Sequence, residues 1–489
     1  MKYLLTLIFL SCIVFLHGQP SFQILFPTPG KNEVGGRIIE DNEGNYLACG
    51  SGMNDTEFLL QGMIWKISTT GDTLSKVITF GDSRSVIGYI TPIENGNYKA
   101  IGWICSDINE SYKLMVLELN ANLDIICKKE IELPGIQTIS NFRMEKHLES
   151  YYLFLGDYGL GSNPPNLNDP YFVKLNSNFD TVCTRRYSIN GNQQCHQMLF
   201  SPDGSQLWLL SEAYFPELVT GCLVQLVIYD TLFNFEGVKT INRIDMMGLS
   251  KAKWITDSTF LLAYNNRKYR LTQEEIAITE TDSAFLFTDY TLIGAPDTID
   301  YIGFGYTLDF NSSDSIHYVG TKNMIPDFWP RQPSWIRVGM LNRQLEPVYE
   351  RFYGGDANYR AYSILSTRDG GAFVSATRYD HNQHNNYNDV FFMKLNNQGL
   401  VTMSSHPDLC PLLPAVVYPN PAKEMLFVDL SWGKANCSIN DMTGRELKQV
   451  SLRNGKNSIN VANLPPGIYL IVLKGQQNEE FTQKIIIQQ

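Results

Sequence analysis

The densest polar chemistry in this 489-residue chain is the run "RYDHNQHNNYND" at 378–389. Asp380, His381, His384 and Asp389 offer carboxylate oxygens and imidazole nitrogens close together, donors that suit Ca²⁺, a softer metal or sugar hydroxyls. Their spacing matches no EF-hand loop, and a solvated loop of Asn and His needs no ligand. No metal ligand set and no cofactor is assigned on this basis, Ca²⁺ at this loop being the one ion considered. A second stretch, "MIPDFWPRQPSW" at 324–335, sets Phe328, Trp329 and Arg331 among prolines between strands. Aromatic faces on a surface loop can stack on sugars or anchor a protein. A Gly-x-Ser-x-Gly elbow, a His-Glu-x-x-His pair and a phosphate-cradling glycine loop are all absent, so no catalytic residue is assigned.

Composition narrows the partners. Net charge is −11, and no run of Lys or Arg stands out, which disfavours nucleic acid because an acidic face has no counterions to release. With 44% hydrophobic and 12% aromatic residues the chain can bury sizeable cores. The start, "MKYLLTLIFLSCIVFLHGQ", has one Lys, an apolar run from Tyr3 to Leu16 and the small Gly18, the layout of a secretory signal peptide over residues 1–18. No other segment approaches the roughly 18 apolar residues of a membrane helix. Removing Cys12 from the nine cysteines leaves eight, none in a Cys-x-x-Cys arrangement, and spacing alone does not give a pairing.

The elements that must carry these loops repeat along the chain. "GGRIIEDNEGNYLACG" (35–50), "IGYITPIENGNYKAIG" (87–102), "FRMEKHLESYYLFLG" (142–156) and "AYSILSTRDGGAFVSA" (361–376) each read as strand, polar turn, strand. Weaker copies lie at 195–211 and 251–264. A second hairpin follows each, as in "VLELNANLDII" (116–126) and "FVKLNSNFDTV" (172–182). Starts near 36, 88, 142, 196, 251, 304 and 361 give seven four-stranded units of about 54 residues across 19–403. Without amphipathic helices between them, such units form an all-β propeller of about seven blades. Units one to six end in a strand such as "SKVITFGD" (75–82), whereas the seventh lacks one. "SFQILFPTPG" (21–30) stands before unit one in the corresponding place, so the N-terminal strand is expected to close the last blade and hide its edge.

After a Pro-containing linker at 404–415, residues 416–489 show alternating short strands bounded by Gly, Pro and Asn, the pattern of a small Ig-like β-sandwich. Four motifs occur there in order: Tyr418, Pro419, Asn420 and Pro421; Asp441, Gly444 and Arg445; Leu464, Gly467 and Tyr469; and Lys484 before Ile485 and Ile486. On these residues the tail resembles the type A C-terminal sorting domain of the type IX secretion system. The resemblance implies export to the periplasm, then passage across the outer membrane of a Gram-negative bacterium through the type IX machinery, ending at the cell surface or in the medium. Each motif taken singly is turn chemistry: prolines setting strand direction, glycines in turns, and Arg445 within reach of Asp441.

The fold alone leaves the body's role open. The leading reading is an exported binding protein that recognises a glycan or a protein by its loop face, without catalysis. The alternative is an exported propeller hydrolase or lyase acting on polysaccharide or peptide. Convergence of at least three Asp, Glu, His, Arg or Tyr side chains on one pocket near the central channel, with mutually perturbed pKa values, would favour the second.

Overall fold

A computed structural model describes residues 21–488 apart from 27–30, 55–58, 79–82, 107–111, 137, 159–167, 188–191, 215–221, 242–245, 270–272, 295–297, 325–331, 381–386, 402–414, 419–421, 442–444 and 476–479. The signal peptide expected at 1–18 and nearly all of the linker expected at 404–415 lie outside the described residues. The chain divides into two compact units, Met1–Ser404 and Ser405–Gln489. Among the described residues no helix is long and apolar enough to cross a membrane.

The first unit is a β-propeller. Its described strands form seven sheets, each an antiparallel meander numbered here as blades 1 to 7 in chain order. Blade 1, for example, runs through Lys31–Glu40, Tyr46–Asn54, Leu60–Ile67 and Thr73–Ile78. Outermost strands such as Thr181–Arg186 are almost wholly exposed, while third strands such as Trp335–Leu341 are almost wholly buried. Blade 7 takes its outermost strand from the other end of the chain, because Phe22–Phe26 pairs antiparallel with Asn388–Leu395. The closure expected from the sequence is therefore present. Phe22 and Ile24 bury themselves with Trp65, Phe373 and Phe392, tying blades 1 and 7 through one apolar cluster.

Turn chemistry explains why the strands fold back where they do. The turn between third and fourth strands of blades 1 to 6, and the turn that follows the third strand of blade 7, begin with Ser68, Asn120, Asn176, Asp230, Asp282, Asn342 and Asn396, whose side-chain oxygen accepts main-chain N–H groups two and four residues on. The fourth residue of each turn has positive φ, and in five blades it is Leu123, Phe179, Phe233, Phe285 or Leu345 rather than Gly. A left-handed non-glycine residue costs about 1–2 kcal/mol. Burying a large apolar side chain returns about 1.5–3 kcal/mol. Phe233 is fully buried and stacks on Phe172 with ring centroids 4.9 Å apart, so packing outweighs the backbone cost. At Gly399 a Cβ would lie 2.3 Å from the Tyr349 ring, and glycine is required there.

The second unit is sandwich-like. Met425–Asn440 pairs along its length with Glu446–Asn460, shifts register between Leu430 and Lys434, and meets Ala415–Tyr418 with its first half and Gly467–Gly475 with its second. Glu480–Ile487 adds the last strand beside Gly467–Gly475. Leu426, Val428, Cys437, Ile439, Ile471, Leu473 and Ile485 fill the core.

Candidate functional site

The first strands of the blades line the central channel, and their ladders are irregular. Register shifts occur at Gly35/Ile38, Ile87/Tyr89, Ile139/Asn141, Cys195/Gln197, Met247/Lys251 and Ala361/Ser363. In blade 6 the strand is interrupted between Asp300–Ile302 and Leu308–Asp309. A bulge kinks a strand and re-aims its side chains. Placed at a similar level in blade after blade, these bulges let polar side chains face the channel from strands that are otherwise packed.

Two cavities result. The larger, about 660 Å³, is walled by the second halves of first strands, including Arg37, Glu145, Gln197, Lys251, Lys253, Tyr306, Asp309 and Ser363. The smaller, about 490 Å³, is lined by Val34, Cys49, Val86, Trp103, Phe142 and Arg143 among others. Arg37 and Tyr306 belong to both walls. They form the partition of the channel.

That partition is held from several blades. Arg37 donates through Nη1 to the Met144 carbonyl at 2.8 Å and lies over the Tyr89 ring, 4.5 Å from its centroid. Tyr306 sits in the interruption of the blade 6 strand, which docks on blade 7: the Gly305 and Tyr306 N–H groups donate to the Tyr362 carbonyl at 2.8 and 3.0 Å, and Ile364 N–H donates to the Tyr306 carbonyl at 3.0 Å. A Cβ on Gly305 would stand 2.6 Å from Ser363 Oγ, so this close approach needs glycine. Ser250 stitches the segment to blade 5, donating to the Gly303 carbonyl and accepting from Thr307 N–H, each at 3.0 Å.

Charge in the larger chamber is mostly committed. Lys253 donates to Asp309 Oδ1 at 2.7 Å and to the Phe310 carbonyl at 2.5 Å, Arg368 pairs with Glu40 at 3.2 Å, and Gln197 donates to Glu145 Oε1 at 3.1 Å. Lys251 is different. Its ammonium lies 4.2 Å from the Tyr306 ring centroid, and burial draws its pKa down to about 8, against the upward pull of Glu145 and Asp309.

The residues expected from sequence fall elsewhere. Phe328, Trp329, Arg331, His381 and His384 lie outside the described residues. Asp380 accepts from Arg378 Nη2 at 3.1 Å, and the same nitrogen donates to Asp356 at 2.9 Å. Asp389 opposes Arg378 in the ladder, and its carboxyl is pushed up to about 6, first by burial and then by Asp380, with Arg378 opposing. Among the described residues no three His, Cys, Asp or Glu side chains are grouped to hold a metal. Cys49, Cys127, Cys183 and Cys437 carry free thiols.

In the tail, Tyr418 ends the first strand, while Pro419, Asn420, Pro421 and Gly444 lie outside the described residues. Asp441 Oδ1 accepts the Arg445 main-chain N–H at 3.1 Å, so this pair meets through the backbone. Leu464 packs on the core, Gly467 opens a strand, and the Tyr469 hydroxyl donates to the Pro465 carbonyl at 2.6 Å. Lys484 is exposed on the final strand.

Sequence reading missed Arg37, Glu145, Lys251 and Tyr306. The available signal was a charged or polar residue just after the bulge position of an inner strand, as in "GGRIIE" and "GLSKAKW".

Comparison with known proteins places the tail. Among solved structures, the β-propeller domain of the Trilobed protease from Pyrococcus furiosus is 8% identical, covering 79% of this chain and 100% of that one, with a TM-score of 0.42. PorZ, a surface component of the type IX secretion system of Porphyromonas gingivalis, is 10% identical over 93% and 75% of the two chains, with a TM-score of 0.27. The polysaccharide lyase Uly1 is 8% identical over 78% and 100%, with a TM-score of 0.46. No curated protein matches the sequence. Residues 416–488 match the family described as the secretion system C-terminal sorting domain, and this tail is the type IX sorting domain that directs the chain to the cell surface or the medium.

Proposed function

We propose that the body is an exported glycan-recognition propeller whose ligand enters the larger channel chamber. One observation carries this reading: a chamber of about 660 Å³ sets Arg37, Glu145, Gln197, Lys251 and Asn311, donors and acceptors from several blades, beside the aromatic residues Tyr306, Trp254 and Phe200. Sugars offer hydroxyls to such polar groups and apolar C–H faces to aromatic rings, and mixed concave sites of this size suit small ligands. Partners other than the secretion machinery are thus expected to be saccharides, with proteins as the lesser class.

The hydrolase or lyase reading keeps one observation in its favour, since Arg37, Glu145 and Tyr306 converge on this pocket with Lys251. Recognition is preferred because Arg37 and Glu145 are already held by Met144 and Gln197, and of the two groups left, Lys251 and Tyr306, the tyrosine meets the ammonium with its ring rather than its hydroxyl. Catalysis by an acid and a base needs two groups placed to exchange protons with one substrate.

The test is calorimetric titration of the full chain with a panel of oligosaccharides, with release of reducing sugar followed in parallel. The expected result is saturable binding without turnover, weakened at least tenfold by Tyr306→Ala. Turnover would replace recognition with catalysis, and binding indifferent to Tyr306→Ala would remove the chamber as the site.

A further inference from the structure

We infer that the chamber selects an acidic sugar, one carrying a single oxyanion that seats against the Lys251 ammonium beside the Tyr306 ring. The inference rests on the glycan reading above and adds the charge of the ligand.

Charge in the chamber wall argues for it. Four cations, Arg37, Lys251, Lys253 and Arg368, face three carboxylates, Glu40, Glu145 and Asp309, which leaves one positive charge in a protein whose net charge is −11. The excess is localised. Lys253 is paired with Asp309, Arg368 with Glu40, and Glu145 receives Gln197. Arg37 is fixed to the Met144 carbonyl and spread over Tyr89. Among the described residues Lys251 makes neither a hydrogen bond nor an ion pair; its ammonium lies over the Tyr306 ring and feels Glu145 and Asp309 only through space, against Arg37 and Lys253.

A confined ammonium with no acceptor is an energetic deficit that a ligand can remove. An ammonium has three donors, and the ring takes one direction, so others remain for an acceptor. Sugar hydroxyls would accept, yet an ionised oxygen makes a bond roughly twice as strong. A monoanion matches the single excess charge. A dianion would add negative charge beside Glu145 and Asp309, which repels it. The chemistry recognised is thus one carboxylate or one sulfate ester on a sugar. The pKa of Lys251, near 8 in the free protein, supports the geometry: an oxyanion within reach restores the charged form that burial disfavours.

The experiment titrates the full chain at pH 7 with a galacto-oligosaccharide carrying a single galacturonate residue, its neutral methyl ester of equal length, and a singly sulfated galacto-oligosaccharide. The acid should bind about tenfold more tightly than its ester, the increment of one charge-assisted hydrogen bond. In Lys251→Met, checked for an intact melting transition, the ratio should fall to about one. In the wild type it should hold constant below pH 8 and decline as pH rises above it. Preference for the sulfated sugar as well would mean that charge alone is read, and preference for the carboxylate alone that shape is read too; both support the inference. Equal binding of acid and ester, lost in Tyr306→Ala, would overturn the acidic preference while keeping the chamber. Absence of binding by all three would overturn both, and an acid preference unchanged in Lys251→Met would overturn Lys251 as its source.

Discussion

Lys251 holds its ammonium 4.2 Å from the centroid of the Tyr306 ring, and these two residues join the bulged strand of blade 5 to the interrupted strand of blade 6 inside the channel. Stability and recognition meet at this contact. A cation–π pair is worth roughly 0.5–2 kcal/mol, less than the cost of withdrawing an ammonium from water, so the free protein carries Lys251 at a loss.

Lys251→Met should therefore stabilise the unliganded propeller at pH 7, on the order of 1–2 kcal/mol, because a pKa drawn down to about 8 from the usual Lys value near 10.4 means that folding opposes the charged form. The sign follows from proton binding. Between about pH 8 and 10.4 the unfolded chain holds more protons, so wild-type stability rises with pH there and is lost as pH falls through 8. Chemical denaturation at pH 7 and pH 10.5 should show the advantage of the variant disappearing at the higher pH.

Asp389 behaves in the opposite sense. Its carboxyl is pushed up to about 6, above the ordinary value near 3.9, so the neutral form is favoured in the fold. Its contribution is present below about pH 4 and is lost as pH rises through 6. Asp389→Asn should raise stability by about 1 kcal/mol at pH 7 and change little at pH 4, which thermal melts at the two pH values would check.

The left-handed turns offer a competition between two terms. Phe233→Gly removes a strained φ worth about 1–2 kcal/mol but also a buried ring whose loss costs about 3–5 kcal/mol. A net destabilisation of about 1–4 kcal/mol is expected in urea denaturation. A neutral or stabilising result would show that backbone strain, not packing, dominates these turns.

Closure of the ring by its two ends predicts a disproportionate effect near the N-terminus. Phe22→Ala empties a place in the cluster shared by Trp65, Phe373 and Phe392 and should cost about 3–5 kcal/mol. Hydrogen exchange should quicken in Asn388–Leu395, the strand that Phe22–Phe26 covers, before it quickens in blades 3 or 4.

Deleting residues 416–489 should leave the body in the periplasm, since the sorting domain is what carries it outward. Cell fractionation checks this directly. Tyr469→Phe loses only the bond to the Pro465 carbonyl, about 1 kcal/mol, and should leave export intact in a tail otherwise well packed.

By itself the sequence determined the all-β repeat, the pairing of "SFQILF" with the last blade, and the secretory tail. Each is written locally: alternation of period two marks a half-buried strand, an Asn or Asp five residues before the next strand sets a turn, and the tail's motifs lie in order within one small domain. Only the tertiary structure decided the channel. Arg37, Glu145, Lys251 and Tyr306 come from different blades, and nothing in their immediate neighbours announces that bulges turn them toward one space. The polar run at 378–389 attracted notice because its residues are adjacent in the chain, whereas the described part of it, Asp380 and Asp389, belongs to a charge network around Arg378. Propeller closure brings together residues that stand one repeat or more apart, and a linear pattern does not carry that distance.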